Sequence, residues 1–75
     1  MEKIIDVILN YVEPEDAITG NSRLKQDCGL TSFDTTCVVG ELCELYGVDP
    51  SAMDLRAVRT VAELHAALEA AAANG

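Results

Sequence analysis

Apolar residues recur at helical spacing in three stretches of this chain, and nowhere do they alternate like a strand bounded by turns. In the first stretch Ile4, Ile5, Ile8, Leu9, Tyr11 and Val12 repeat close to a helical period, with Glu2, Lys3, Asp6 and Asn10 on the other side. That pattern predicts a helix over about residues 2–13, stopped by Pro14. The following "PEDAITGNSRLKQDCGL" scatters Pro, Gly, Asn, Asp and Ser without a sustained period. It reads as a long loop, tied to the core by Ile18 and Leu24. Loops of this length inside compact domains usually carry a function. Over 31–46 the helical pattern returns: Val38, Val39, Leu42, Leu45 and Tyr46 form one stripe, Asp34, Glu41 and Glu44 are left for solvent, and Gly47 supplies a stop. "VDPSAMDLRAV" contains Pro50 and predicts one short helix around 54–57. Thr60 with Glu63 three residues on has the form of a capping box. The last helix then runs on Val61, Leu64 and Leu68 into "EAAAANG", ending or fraying at Asn74 and Gly75. The expected architecture is all-α: one domain over 1–75, a small four-helix bundle of three longer helices and one short one, with a long loop between the first and second.

Composition narrows this picture. A chain of 75 residues buries only about 60% of its unfolded surface, which leaves no room for a second core. Its 49% hydrophobic content against 24% charged supports folding rather than disorder. No apolar run approaches the roughly 18 to 20 residues that cross a bilayer. Acids also interrupt "MEKIIDVILNYVE", where a signal peptide needs an unbroken apolar stretch. A cytoplasmic protein without membrane insertion is the expectation. Cys28, Cys37 and Cys43 are odd in number and contain no CxxC pair, so they read as reduced thiols packed as small apolar groups rather than a disulfide framework or metal site. The net charge of −8, from 13 acids against 5 Lys and Arg, argues against nucleic acid and favours partners with basic surfaces.

Candidate chemistry concentrates in "GLTSFDTTCVV", residues 29–39. Thr31 with Asp34 three residues on forms a second capping-box pattern, in which the Thr31 oxygen accepts from a backbone N–H and the acid favours the positive helix end, together worth about 1 kcal/mol. One cap suffices for one helix, so the box leaves Ser32 unexplained. From the residues alone Ser32 reads either as a solvent-facing serine without consequence or as a hydroxyl sited to carry a phosphate ester at the electropositive helix end. Gly40, in mid-helix, costs about 1 kcal/mol relative to alanine. It reads as neutral drift, as close helix packing, or as a point where a partner approaches. His65, the single histidine, falls one turn after Val61 as a partly buried packing residue. A lone His without a nucleophile elbow gives no support to a catalytic reading.

The stretch Asp27, Cys28, Gly29, Leu30, Thr31, Ser32, Phe33, Asp34 resembles the signature of the acyl carrier protein family and its peptidyl carrier relatives, an Asp-Ser-Leu triplet within Asp-Leu-Gly-x-Asp-Ser-Leu-Asp. The resemblance extends along nearly the whole chain: a first helix, a long loop, the signature, a second helix ending in Tyr46-Gly47, a short third helix, and a last helix opening at Thr60-Val61. It implies that Ser32 is the attachment point of 4′-phosphopantetheine, drawn from coenzyme A. The protein would then be a stand-alone carrier of acyl thioesters for fatty acid, polyketide or related biosynthesis. It would not itself be an enzyme. The implied partners are a phosphopantetheinyl transferase and acyl-loading and acyl-transfer enzymes with basic docking surfaces. Thr31, Phe33, Asp34, Gly40, Glu41 and Glu44 would form the docking face of a monomer, found through electrostatic steering. The chain departs from the family pattern twice: Thr31 stands where Asp is usual, removing a negative charge beside the serine, and Phe33 replaces the more frequent Leu. D-alanyl carriers are similar in having Ser-Phe here. An aminoacyl or peptidyl carrier, a D-alanyl carrier and an unmodified carrier-like interaction module are the alternatives.

Overall fold

A computed structural model describes residues 2–74 of the chain; Met1 and Gly75, and with Gly75 the expected terminal fraying, lie outside the described residues. Three α-helices follow in order, α1 (Glu2–Leu9), α2 (Ser32–Tyr46) and α3 (Val61–Asn74), with one turn of 3-10 helix at Pro50–Ala52 between the last two. Each α-helix packs against the other two. Among the described residues there is no strand, only an isolated antiparallel bridge between Arg23 and Thr60. The fold is therefore a small three-helix assembly, and a four-helix bundle overstates it.

Packing decides where the helices end. An isolated helix as short as α1 is unstable in water, and Ile4, Val7 and Ile8 hold it by burial against the other two helices. It stops four residues short of the expected end. Asn10 N–H donates to the Val7 carbonyl (3.1 Å) and Tyr11 N–H to that of Ile8 (3.0 Å), which Val12 N–H shares (3.2 Å), so the regular helix gives way to a mixed closing turn with three-residue bonds. Pro14 then biases Glu13 away from helical geometry. Leu9 and Tyr11, expected on the apolar stripe, are exposed.

Helix α2 opens on its cap, Thr31, and closes on Gly47, whose φ of 68° lies in the left-handed region that glycine enters without strain. Gly47 N–H reaches the Cys43 and Glu44 carbonyls and Val48 N–H donates to Cys43 (2.8 Å), satisfying end carbonyls of the helix. Val38, Val39, Leu42 and Cys43 are its buried face, and Tyr46 packs against the core. Leu45, expected in the stripe, is 58% exposed. Cys28 and Cys43 are buried as expected, whereas Cys37 is only half-buried.

The short helix expected around 54–57 is a hydrogen-bonded turn instead, with Ala57 N–H donating to the Asp54 carbonyl (3.2 Å). Helical hydrogen bonding forms earlier, where Asp49 caps the turn by accepting from Ser51 N–H and Pro50 presets the backbone angle. Helix α3 begins as expected: Glu63 N–H donates to Thr60 Oγ1 and Thr60 N–H to Glu63 Oε1, both at 3.2 Å. Val61, Leu64 and Leu68 are fully buried.

The long loop is ordered by α3. Val61 and Ala62, whose N–H groups have no partner within their own helix, donate to the Ser22 (3.0 Å) and Gly20 (2.9 Å) carbonyls, and Leu24 N–H returns a bond to the Arg59 carbonyl (2.8 Å). Leu24, Cys28 and Leu30 sink into the core while Ile18 packs on its edge. This stitching fixes the segment that leads into α2.

Candidate functional site

The approach to Ser32 is built residue by residue. Asp27 Oδ2 accepts from Arg23 N–H (2.8 Å) and from Arg23 Nε (3.0 Å), while Oδ1 accepts from Nη2 (3.3 Å). The Arg23 guanidinium and then the Arg23 backbone N–H hold the Asp27 carboxyl below its ordinary range. Cys28 is buried, and burial pushes its thiol up. Gly29 turns the chain at φ 79°, and Leu30 drops into the core with its N–H on the Leu24 carbonyl (3.1 Å). Thr31 then caps α2, accepting from Asp34 N–H at 3.0 Å, while Asp34 Oδ2 accepts from Thr31 N–H at 3.4 Å. Both halves of the expected capping box are present.

Ser32 is the first residue of α2 and is exposed. Thr35 N–H and Thr35 Oγ1 both take the Thr31 carbonyl (2.9 Å each), and Thr36 Oγ1 donates to the Ser32 carbonyl (3.0 Å). Among the described residues, no protein group accepts from the backbone N–H of Ser32 or Phe33. The contrast with α3 is direct, since the loop carbonyls occupy the corresponding donors there. A hydroxyl beside two free N–H groups at the positive end of a fifteen-residue helix is well matched to a phosphodiester.

The other candidate residues divide between the outer face and one flank of α2. Phe33, Gly40 and Glu44 follow one another at seven- and four-residue intervals, so they share the row opposite the buried stripe. Phe33 is 76% exposed, the most open of the large apolar side chains among the described residues, and Glu44 is exposed as well. A Cβ built on Gly40 meets no atom within 4 Å, so close helix packing does not account for this glycine. Asp34 and Glu41 are half-buried on the flank near the end of α1. Tyr11 Oη donates to Glu41 Oε2 (3.1 Å), an exposed bond from the turn after α1 to α2. That bond first, then desolvation and the charge of Glu41, push the Tyr11 phenol up.

On the opposite flank Ser32, Thr35 and Thr36 form one wall of a groove of about 720 Å3, closed by segments 23–26 and 55–59. Sequence reasoning missed this groove. Its basic residues sit in two short runs, "RLK" and "RAVR", whose meeting depends on the loop-to-α3 stitching and leaves no mark in local spacing.

His65 lies half-buried on α3 with Nε2 on Glu69 Oε1 (2.7 Å) one turn on. Among the described residues no cluster of three potential metal ligands forms, and no helix is long and apolar enough to cross a membrane. The chain matches no family model, no curated protein and no solved structure.

Proposed function

We propose that this protein is a carrier that holds acyl intermediates as thioesters on a 4′-phosphopantetheine arm attached to Ser32. The observation that carries the reading is the exposed Ser32 hydroxyl at the mouth of α2, beside two unpartnered N–H groups and held by the Thr31 cap. The residues present suit the group: the Ser32 oxygen would bear the phosphodiester, and the free N–H groups of Ser32 and Phe33 would face its anionic oxygens. Once attached, the arm supplies a terminal thiol for thioester chemistry.

In the loading step Ser32 Oγ forms a new ester bond to phosphorus while the pyrophosphate bond of coenzyme A breaks. Adenosine bisphosphate leaves with the electron pair, and the hydroxyl proton passes to a base on the transferase. Phe33, Gly40 and Glu44 form an outward row for docking, with Thr31 at its head and Asp34 and Glu41 on its flank. Basic enzyme surfaces would meet these carboxylates through contacts that weaken as salt rises. Similarity of the Asp27 to Asp34 stretch to the acyl carrier signature supports the same assignment. The cargo is acyl on this reading, with a role in fatty acid, polyketide or related biosynthesis.

The test is incubation with coenzyme A and phosphopantetheinyl transferases of broad specificity, followed by intact mass and peptide mapping. The proposal requires a mass gain of one phosphopantetheine on Ser32 that disappears in Ser32→Ala. An unchanged mass with every transferase overturns it.

A further inference from the structure

Four of the chain's five basic residues, Arg23, Lys25, Arg56 and Arg59, line the groove beside Ser32. In a chain of net charge −8 this is where most of the positive charge has been placed. Arg23 is committed to Asp27. Among the described residues Lys25, Arg56 and Arg59 have no ion-pair partner, and all three are exposed. The Leu24 to Arg59 backbone bond and the Arg23–Thr60 bridge hold their two segments side by side, so the cations are assembled before any ligand arrives. Leu24, Leu55 and Val58 add apolar surface to the same groove. Its volume lies within the range of sites that take small organic molecules.

We propose that this groove receives the far end of the cargo carried on Ser32, and that the cargo is an acyl group ending in a carboxylate. The inference rests on the reading of Ser32 as the attachment point. Apolar walls suit a short methylene chain, and the unpaired cations suit an anion at its end. Salt screening explains why the ligand is tethered. At 0.1 M salt the repulsion of the whole chain and the pull of the cationic groove both fade over about 10 Å, so a dilute free anion is not gathered from a distance. A covalently attached anion needs no such gathering, because a short flexible tether supplies an effective concentration on the order of millimolar. The groove thus selects among cargoes after loading rather than recruiting ligands from solution.

The experiment loads isotopically labelled protein with glutaryl or with pentanoyl, from the corresponding coenzyme A thioesters, and compares backbone amide resonances. Glutaryl is expected to shift amides in 23–26 and 55–59 relative to pentanoyl. In the double variant Arg56→Gln, Arg59→Gln the two cargoes should give converging spectra there, since each lost exposed ion pair lowers the groove's affinity for the carboxylate by about 1.4- to fivefold. Both side chains are exposed and make no hydrogen bond among the described residues, and circular dichroism of the variant verifies its fold. Free glutarate at about 0.05 mM, well below the effective concentration of the tether, should leave the unloaded protein's resonances in place. Identical spectra for the two cargoes, persistence of the difference in the double variant, or equal shifts from free glutarate overturn the inference while leaving the carrier reading intact. Failure of any thioester to add mass at Ser32 overturns both.

Discussion

Replacing Thr31 tests whether the capping box sets the geometry of the site. Thr31→Ala removes the oxygen that accepts from Asp34 N–H at 3.0 Å and leaves the backbone otherwise unchanged. Loss of such a cap costs about 1 kcal/mol, within a range of about 0.5–2. In a domain of this size each kcal/mol shifts the melting temperature by about 4–8 °C, so Thr31→Ala should melt about 4–8 °C below the parent. Asp34→Ala removes the longer reciprocal bond of 3.4 Å and a carboxylate near the helix start, for about 0.5 kcal/mol. Its melting point should fall by roughly half as much. Thr31→Asp keeps an acceptor of equal or better capping strength and adds negative charge beside Ser32. It should melt within about 3 °C of the parent and be modified faster by a phosphopantetheinyl transferase. Thermal melts followed by helical circular dichroism, with initial rates of mass gain, measure all three. A Thr31→Ala variant that melts within about 1 °C of the parent would refute the claim that this oxygen anchors α2.

Gly40→Ala should stabilise the protein by about 1 kcal/mol, because no atom lies within 4 Å of the added methyl; a lower melting temperature would contradict the open space seen there. With a thiol reagent at neutral pH, half-buried Cys37 should react first, and Cys28 and Cys43 only on unfolding, since burial pushes both of those thiols up. Cys37→Ser should abolish the fast phase, and its survival would count against the burial pattern. Tyr11 is held above its ordinary value of 10.0 chiefly by its hydrogen bond to Glu41. The bond therefore adds stability below the unfolded value and loses it as pH rises through the higher folded one. In an absorbance titration Glu41→Ala should move one tyrosine of the two to lower pH, and an unchanged curve would remove the bond from the account.

Local signals were legible in the sequence where a single element decides the outcome. Both capping boxes lie within one turn, and Val61, Leu64 and Leu68 meet the core because one helix face carries them. Leu45 misled because apolar identity does not say which side of the stripe the neighbouring helices cover. Helix α1 ended early through the tightening at Asn10 and Tyr11, upstream of the Pro14 that marks the stop in sequence. The turn at 54–57 lost its helix to a segment where Asp49 and Pro50 offered a cap and a fixed backbone angle. Nothing local announces the cationic groove, since Lys25 and Arg59 become neighbours only through backbone bonds between the loop and the start of α3. The exposure of Ser32 was legible from its place after a cap. Its free N–H groups were not, because a loop could have covered them as 20–22 covers α3.

The most direct measurement is the intact mass of this protein isolated from the cells that make it, with the modified peptide sequenced. The expected result is a phosphodiester-linked pantetheine on Ser32 and on no other hydroxyl. Protein that remains unmodified throughout growth, or that carries the group elsewhere, would contradict it.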